Sequence, residues 1–508
     1  MPRPRNTQPQ IAAYLVSTLA PLCLFCGQAF ATEPAARPPN FIFILTDDMG
    51  WGDLAAFGHP YLKTPNLDRF VAESKRFTQF YVANPVCSPS RTAFMTSQYP
   101  ARLRMHGHLA NNDQNASRGM PNWLDPQVPF LARMLHDAGY ATAHFGKWHL
   151  GHGPGAPSPG EYGFDVHATY NSAGPLLGAD EIEKFRREHP ESTSKDVLNQ
   201  EHIPHYRANS TRMIVDAALK FFREHRETPF YANLWTLLPH APLDPTPDQL
   251  APWKDLSPRA DAFGSWMKDY AGRAKDLRSQ MQVFAASMAD LDNQLGRLLD
   301  GLREIGLANN TVIIFSSDNG PEDYRIGNAA NAGVGSPGPH RARKRSLYEG
   351  GIRSPLLVRW PSHVKANATD ETSVIGAVDL LPTICSLAGV KLPDALKPDG
   401  EDVSDILLGN SRPRRGPLFW EWRFPVTGGG DYAPPRFAVR DGDWKLFTNL
   451  DRSRVELFDI PLDPEERNNV AADHPEIVDR LAASVLTWGK SLPASPAGQP
   501  ATKKKGVR

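Results

Sequence analysis

Two stretches of this chain are apolar without interruption and each ends on acidic or amide side chains. Phe41-Ile42-Phe43-Ile44-Leu45 runs into Thr46-Asp47-Asp48-Met49-Gly50, and Thr311-Val312-Ile313-Ile314-Phe315-Ser316-Ser317 runs into Asp318-Asn319-Gly320. A strand half exposed to water alternates apolar and polar residues, whereas a continuous run fits a strand covered on both faces, as in a parallel sheet flanked by helices. Open α/β sheets bind ligands beyond the carboxyl ends of their strands. Adjacent carboxylates repel each other unless donors or a cation neutralise them. Helix N-caps are the plainer reading of one such pair. Two strands delivering Asp47, Asp48, Asp318 and Asn319 to one edge would make an all-oxygen site, which selects Ca²⁺ or Mg²⁺ over Zn²⁺.

The intervening and following chain supplies the rest of an α/β domain. Ala141 to Phe145 reads as a short strand that delivers Lys147 and His149, and their alternation on an extended segment predicts that both point one way. Phe230 to Trp235 reads as another strand, leading to Leu238-Pro239-His240, and Ser354 to Trp360 as a further one. Helical spacing covers Val128–Tyr140, Met213–His225 and Met281–Ile305. The last is a crossover helix before the second acidic strand, with Asp290 and Asp292 in its polar positions. Beyond roughly residue 410 come short strands, with an Asp441-Gly442 hairpin signal and a final helix over Glu476–Trp488.

Between the acidic strands stands Cys87-Ser88-Pro89-Ser90-Arg91, which fits C-x-P-x-R, with helix potential from Ser90 to Thr96. With Gly146-Lys147-Trp148-His149 and Tyr348-Glu349-Gly350-Gly351, it makes most of the chain resemble the formylglycine-dependent sulfatases of the alkaline-phosphatase-like superfamily. Their motif is usually followed by Thr-Gly, here Thr96-Ser97. The resemblance implies a large, mostly parallel central sheet flanked by helices, with a smaller C-terminal antiparallel sheet and helix. It implies oxidation of Cys87 to Cα-formylglycine, whose hydrate is the nucleophile, by a formylglycine-generating maturation enzyme that reads Pro89 and Arg91. It assigns Asp47, Asp48, Asp318 and Asn319 to a divalent cation, usually calcium, that also contacts the Cys87-derived side chain. Arg91 and His149 would bond the diol, and Lys147 and Lys344 the sulfate. His240 would stand near the leaving oxygen, with His240 or Lys344 as the acid.

The expected activity is hydrolysis of sulfate monoesters, with a sulfated saccharide as substrate. A phosphonate or phosphodiester hydrolase and an inactive glycan-binding relative are the other readings. His106, His108, Arg118 and Arg325, on rim segments Met105–Trp123 and Asp323–Pro339, are candidate sugar contacts; Gly151–Pro175 is a third such segment.

Balanced charge, 56 basic against 56 acidic residues, gives no overall pull toward nucleic acid or anionic membrane. Arg3 and Arg5, the apolar Ile11–Cys26 and Ala29-Phe30-Ala31 read as a signal peptide of residues 1–31, hence an exported, periplasmic or secreted protein (lysosomal in a eukaryote) without a stable membrane span. The expected layout is a catalytic domain over 32–410, a subdomain over 411–492 and a disordered tail over 493–508. Cys385 is expected as a buried thiol.

Overall fold

The fold is known from a computed structural model that describes residues 37–151, 155–171, 174–176, 205–262, 276–326, 329, 331–426 and 432–493. The expected leader, nearly all of the expected tail and parts of the second and third rim segments lie outside the described residues.

The strands are β1 (Asn40–Thr46), β2 (Lys75–Phe77), β3 (Phe80–Tyr81), β4 (Ala141–Lys147), β5 (Val166–Asn171), β6 (Gly174–Leu176), β7 (Phe230–Trp235), β8 (Thr311–Ser317), β9 (Leu356–Arg359), β10 (Ala368–Asp370), β11 (Ile375–Gly376), β12 (Leu418–Glu421), β13 (Phe437–Asp441), β14 (Trp444–Thr448) and β15 (Glu456–Asp459). Nine form a mixed sheet in the order β10-β2-β9-β8-β1-β7-β4-β5-β6, four form a C-terminal sheet in the order β12-β13-β14-β15, and β3 pairs with β11. The centre of the large sheet, β8-β1-β7-β4-β5, is parallel throughout. The small sheet is antiparallel throughout, and Gly442 (φ +57°) makes the turn between β13 and β14, where a left-handed residue is required.

All seven residues of β1 are buried, which explains its unbroken apolar run. Phe41, Phe43 and Leu45 join one core with α2 (Cys87–Thr96), α5 (Leu380–Leu387) and the small sheet. Ile42 and Ile44 join the opposite core with α3 (Tyr206–Glu224) and α4 (Leu277–Ile305). Each buried Leu, Ile or Phe contributes about 1.5–3 kcal/mol, so the central strand is clamped from both sides. The C-terminal helix α6 (Pro475–Ser491) lays Leu481 and Val485 on the small sheet's core. Cys385 is buried in α5, as expected.

Asp292, in a polar position of its helix as expected, has a partner that the spacing did not name. It does not face water but is 1% exposed, accepting from the backbone N–H of Leu67 at 2.7 Å and from Asn66 through its backbone N–H at 3.3 Å and its Nδ2 at 2.9 Å. It thereby satisfies the orphan donors at the start of α1 (Pro65–Ala72), against which its own helix packs.

Candidate active site

The register of the parallel strands brings the site together. Thr46 stands opposite Ser317 and Leu45 opposite Trp235, so β1, β7 and β8 finish on one edge, and Gly146 of β4 also lies opposite Trp235. The residues immediately beyond are Asp47 and Asp48, Asp318 and Asn319, and Lys147 at the end of β4. Gly320 is required here, because a Cβ would lie 1.9 Å from the carbonyl oxygen of Gly350.

Cys87 opens α2 at this edge, 2% exposed, with its Sγ 3.4 Å from Asp47 Oδ1 and 3.5 Å from Lys147 Nζ. Arg91, one turn later and fully buried, donates to Asp318 Oδ2 from Nε at 3.0 Å and Nη2 at 2.7 Å, and to the carbonyl of Lys147 from Nη1 at 2.8 Å. Its guanidinium lies 5.0 Å from the centre of the Trp235 ring. Lys147 Nζ donates to Asp47 Oδ2 at 2.6 Å, and Lys344 Nζ stands 2.6 Å from both oxygens of Asp48. His240 Nε2 lies 3.7 Å from Asp48 Oδ2. The flanking cations of the basic loop turn elsewhere. Arg343 donates to the carbonyls of Glu322, Gly333 and Gly335, and Arg345 pairs with the Glu322 carboxylate.

His149 reaches the cluster by a different route from the one its alternation with Lys147 suggests. Strand β4 stops at Lys147, and His149 has left-handed backbone (φ +56°). Its Nε2 donates to the carbonyl of Leu109 at 3.1 Å. Asp48 is left-handed too (φ +65°), and a non-glycine residue in that region costs about 1–3 kcal/mol, strain that the surrounding bonds must offset.

The charges of the site are strongly coupled. Burial alone would raise the Asp47 carboxyl, but Lys147, His240, Arg91 and Lys344 hold it well below the usual range. Burial prevails at Asp318, pushed up to about 6 against the pull of Arg91. Burial likewise raises the Cys87 thiol far above its ordinary value in spite of Lys147 and Lys344, opposite to the shift of a nucleophilic thiolate. His240 is lowered to about 4 and His149 well below its ordinary value, in both cases mainly by burial, so both rings are neutral at pH 7.

The residues fit a hard cation. Ligand atoms of Asp47, Asp48, Cys87 and His240 lie within 4.8 Å of one another. Asn319 Oδ1 is buried without a partner among the described residues, while its Nδ2 donates to Asp48 Oδ1 at 2.7 Å. An amide oxygen buried without a partner beside clustered carboxylates suits a site built for an oxygen-bound cation.

Of the four expected sugar contacts, His108 is half-buried and feels the charges of Arg118, Lys344, Arg345 and Lys147. His106 departs from expectation: it is 3% exposed, with Nδ1 3.0 Å from Glu421 Oε2, and is committed to that carboxylate rather than to the rim. Arg118 donates to the carbonyl of His108 and covers Phe424; Arg325 bonds Asp323 and stacks 3.5 Å from the Tyr432 ring centre. Sequence reasoning missed Glu322, buried among cations three residues beyond Asn319. An acid inside a loop otherwise rich in Arg and Lys was its available signal.

The family profile described as Sulfatase matches residues 39–390, and the profile described as N-sulphoglucosamine sulphohydrolase, C-terminal, matches residues 339–487. The chain belongs to the sulfatase family. Human (Homo sapiens) arylsulfatase A is 32% identical to this sulfatase over 491 residues, covering 88% of this chain and 87% of its own. N-acetylgalactosamine-6-sulfatase of Mus musculus is 33% identical over 505 residues, covering 92% and 88%. The crystal structure of Ps i-CgsB in complex with k-i-k-neocarrahexaose has the same fold, with a TM-score of 0.72 at 24% identity over 91% of this chain and 95% of that one. The sulfatase is thus a hydrolase of sulfuric esters with the family's Asp-Asp-Cys-His cluster. No helix among its described residues is long and apolar enough to cross a membrane.

Proposed function

We propose that this sulfatase is exported and hydrolyses sulfate monoesters of a sulfated carbohydrate, using a formylglycine hydrate made from Cys87 and a calcium ion, with magnesium as the other candidate. The observation that carries the reading is Cys87 at the start of α2, within 3.5 Å of both Asp47 and Lys147. Asp47, Asp48, Asp318 and Asn319 would hold the cation, which supplies positive charge against the sulfuryl oxygens. The hydrate supplies an attacking hydroxyl and a second hydroxyl whose deprotonation releases sulfate, an exit that a serine ester lacks.

The chain's own groups do the rest. An ammonium has three donors, so Lys147 and Lys344 can each keep a carboxylate and still bind a sulfate oxygen. Arg91 fixes Asp318 and the end of β4 together. Neutral His149, with Nε2 engaged by Leu109, is the base assigned to take the hydroxyl proton. Lys344, which is charged, or His240, only in its protonated form, delivers a proton to the departing alcohol oxygen. His240 Nδ1 faces the carbonyl of Ala241, so Nε2 becomes a donor only when the ring is protonated. The carbohydrate assignment draws on the mouse relative, named for a sulfated amino sugar.

The test is intact-mass analysis of active protein together with turnover of 4-nitrophenyl sulfate and a matched phosphonate monoester. Residue 87 read as aldehyde with sulfate preferred supports the reading. Undiminished turnover with an unmodified thiol, or a phosphonate preference, overturns it.

A further inference from the structure

A cavity stands one loop away from the cluster. Its volume is about 480 Å³, and Trp422, Arg423, Phe424, Arg436 and Asn449 line it. These residues flank β12, β13 and β14 of the small sheet, so the cavity owes nothing to the central sheet. Its position is fixed by residues 106–109, which bridge the two places. At one end His106 Nδ1 is 3.0 Å from Glu421 Oε2, and the Phe424 ring lies flat enough on Gly107 that a Cβ there would approach it to 2.7 Å. At the other end the Leu109 N–H donates to Ser88 Oγ at 3.0 Å, and the Leu109 carbonyl accepts from His149 at 3.1 Å. Three residues of extended chain span at most about 11 Å, so the cavity wall at Phe424 and the His149 side of the cluster are held close together by this short segment, and none of the cluster's residues lines the cavity.

The chemistry of the lining is that of an anionic saccharide site. Arg436 donates to Glu421 Oε1 from Nη2 at 2.7 Å, and Arg423 donates to the same oxygen at 2.7 Å. Arg118 covers Phe424 with 5.5 Å between guanidinium and ring centre. Two guanidiniums therefore share one carboxylate and a third, Arg118, lies beside Phe424, so with the buried His106 ring held toward its neutral form by burial the patch carries net positive charge. Trp422 and Phe424, edge to face at 5.3 Å, add apolar surface for the C–H face of a pyranose, and the Asn449 side chain adds polar groups. Apolar walls with a few convergent polar groups make a small-molecule site, and two arginines on one rim favour planar or tetrahedral oxyanions.

We propose that this cavity is a subsite for an anionic sugar next to the one that carries the scissile sulfate ester, so that the sulfatase acts on oligosaccharides and reads a second charged residue. The proposal rests on the sulfatase reading above. Its anion is a sulfate or a uronic carboxylate, and the test distinguishes them.

Affinity of the full-length, matured and calcium-loaded protein is measured by calorimetry for a sulfated dextran tetrasaccharide, for tetragalacturonate and for uncharged maltotetraose, with turnover of 4-nitrophenyl sulfate recorded separately. Arg436 has a partly exposed side chain (38%), so Arg436→Gln is a mild change to the fold, and Arg436→Lys restores the charge. Loss of one charge-assisted contact is expected to weaken binding of the preferred charged tetrasaccharide about tenfold in Arg436→Gln, with recovery in Arg436→Lys. Phe424→Ala should weaken it as well, whereas inhibition by inorganic sulfate should move less than tetrasaccharide binding in all three variants. Stronger binding of the sulfated chain than of tetragalacturonate identifies sulfate as the recognised group, and the reverse order identifies carboxylate. Equal affinity of wild type and Arg436→Gln, equal binding of maltotetraose, or absence of charged-oligosaccharide binding overturns the subsite. Arg436-dependent binding without turnover of any sulfate ester would sink the sulfatase reading and leave the subsite standing.

Discussion

Glu322 offers the sharpest test of how the cationic side of the site is held. Its Oε2 lies 3.5 Å from Lys344 Nζ, and the same carboxylate pairs with Arg345. Burial would raise its pKa, but Lys344 and Arg345 hold it well below the usual carboxylate range. At an effective dielectric of 20, unit charges 3.5 Å apart attract by about 5 kcal/mol. Glu322→Gln forfeits that attraction but also removes the cost of burying a carboxylate, so a net loss of about 3 kcal/mol is expected, at the lower end for breaking a buried ion pair. Unfolding entropy of roughly 2.1 cal/mol/K per residue over a chain of this length gives about 1 kcal/mol/K, hence a fall in Tm of roughly 3 °C. Lys344 keeps Asp48 and its charge, so activity should suffer through aim: kcat/KM on 4-nitrophenyl sulfate should drop about tenfold. Scanning calorimetry and steady-state kinetics read the two effects. Arg345→Gln in the same chain should recover part of the stability, since the orphaned guanidinium is then gone. A Tm and kcat/KM equal to wild type, or fully additive losses in the double variant, would refute the reasoning.

Asp292→Ala strands the donors at the start of α1 and should cost about 3 kcal/mol, read as a lower denaturant midpoint with kcat little changed. Chelation with EDTA should abolish turnover, and calcium at a hundredfold its Kd should return about 2.7 kcal/mol of stability; a Tm indifferent to calcium would speak against a resident ion. Glu466 is raised to about 7 by burial, with Glu349 adding to the rise and Lys445 opposing it. A carboxyl whose folded pKa lies above its unfolded value stabilises most at low pH, and that contribution is lost as pH rises from about 4.5 to about 7. Glu466→Gln should therefore flatten the decline of Tm over that window, and an unchanged slope would exclude the residue as its source.

The central strands could be read because burial on both faces leaves an unbroken apolar run in β1 and β8. Strands β2, β3, β10 and β11 have two or three residues each and carry no periodicity to detect. Helix ends were less legible: α3 starts at Tyr206 rather than Met213, and Leu131–Asp137 is shorter than the Val128–Tyr140 pattern, whose start contains Pro129. The convergence of Asp47, Asp48, Asp318 and Asn319 depends on the Thr46–Ser317 register, which is tertiary information. Asp292 reads only as a polar position, because helical spacing shows which face a residue takes but not what packs there. His149 looked aligned with Lys147 because alternation presumes a strand that ends two residues earlier. His106 has no local signal for Glu421, 315 residues away.

Every residue of α2 is buried, including Cys87, Pro89 and Arg91. A macromolecule that must grip those three side chains has no access once β1, β8 and the helix have closed together. If Cys87 is oxidised as proposed, the chemistry is a race against folding, won or lost while the polypeptide is still emerging. The fraction of competent molecules in any preparation would then be set at synthesis, and thiol-bearing protein that has already folded could not be rescued by adding the modifying enzyme afterwards.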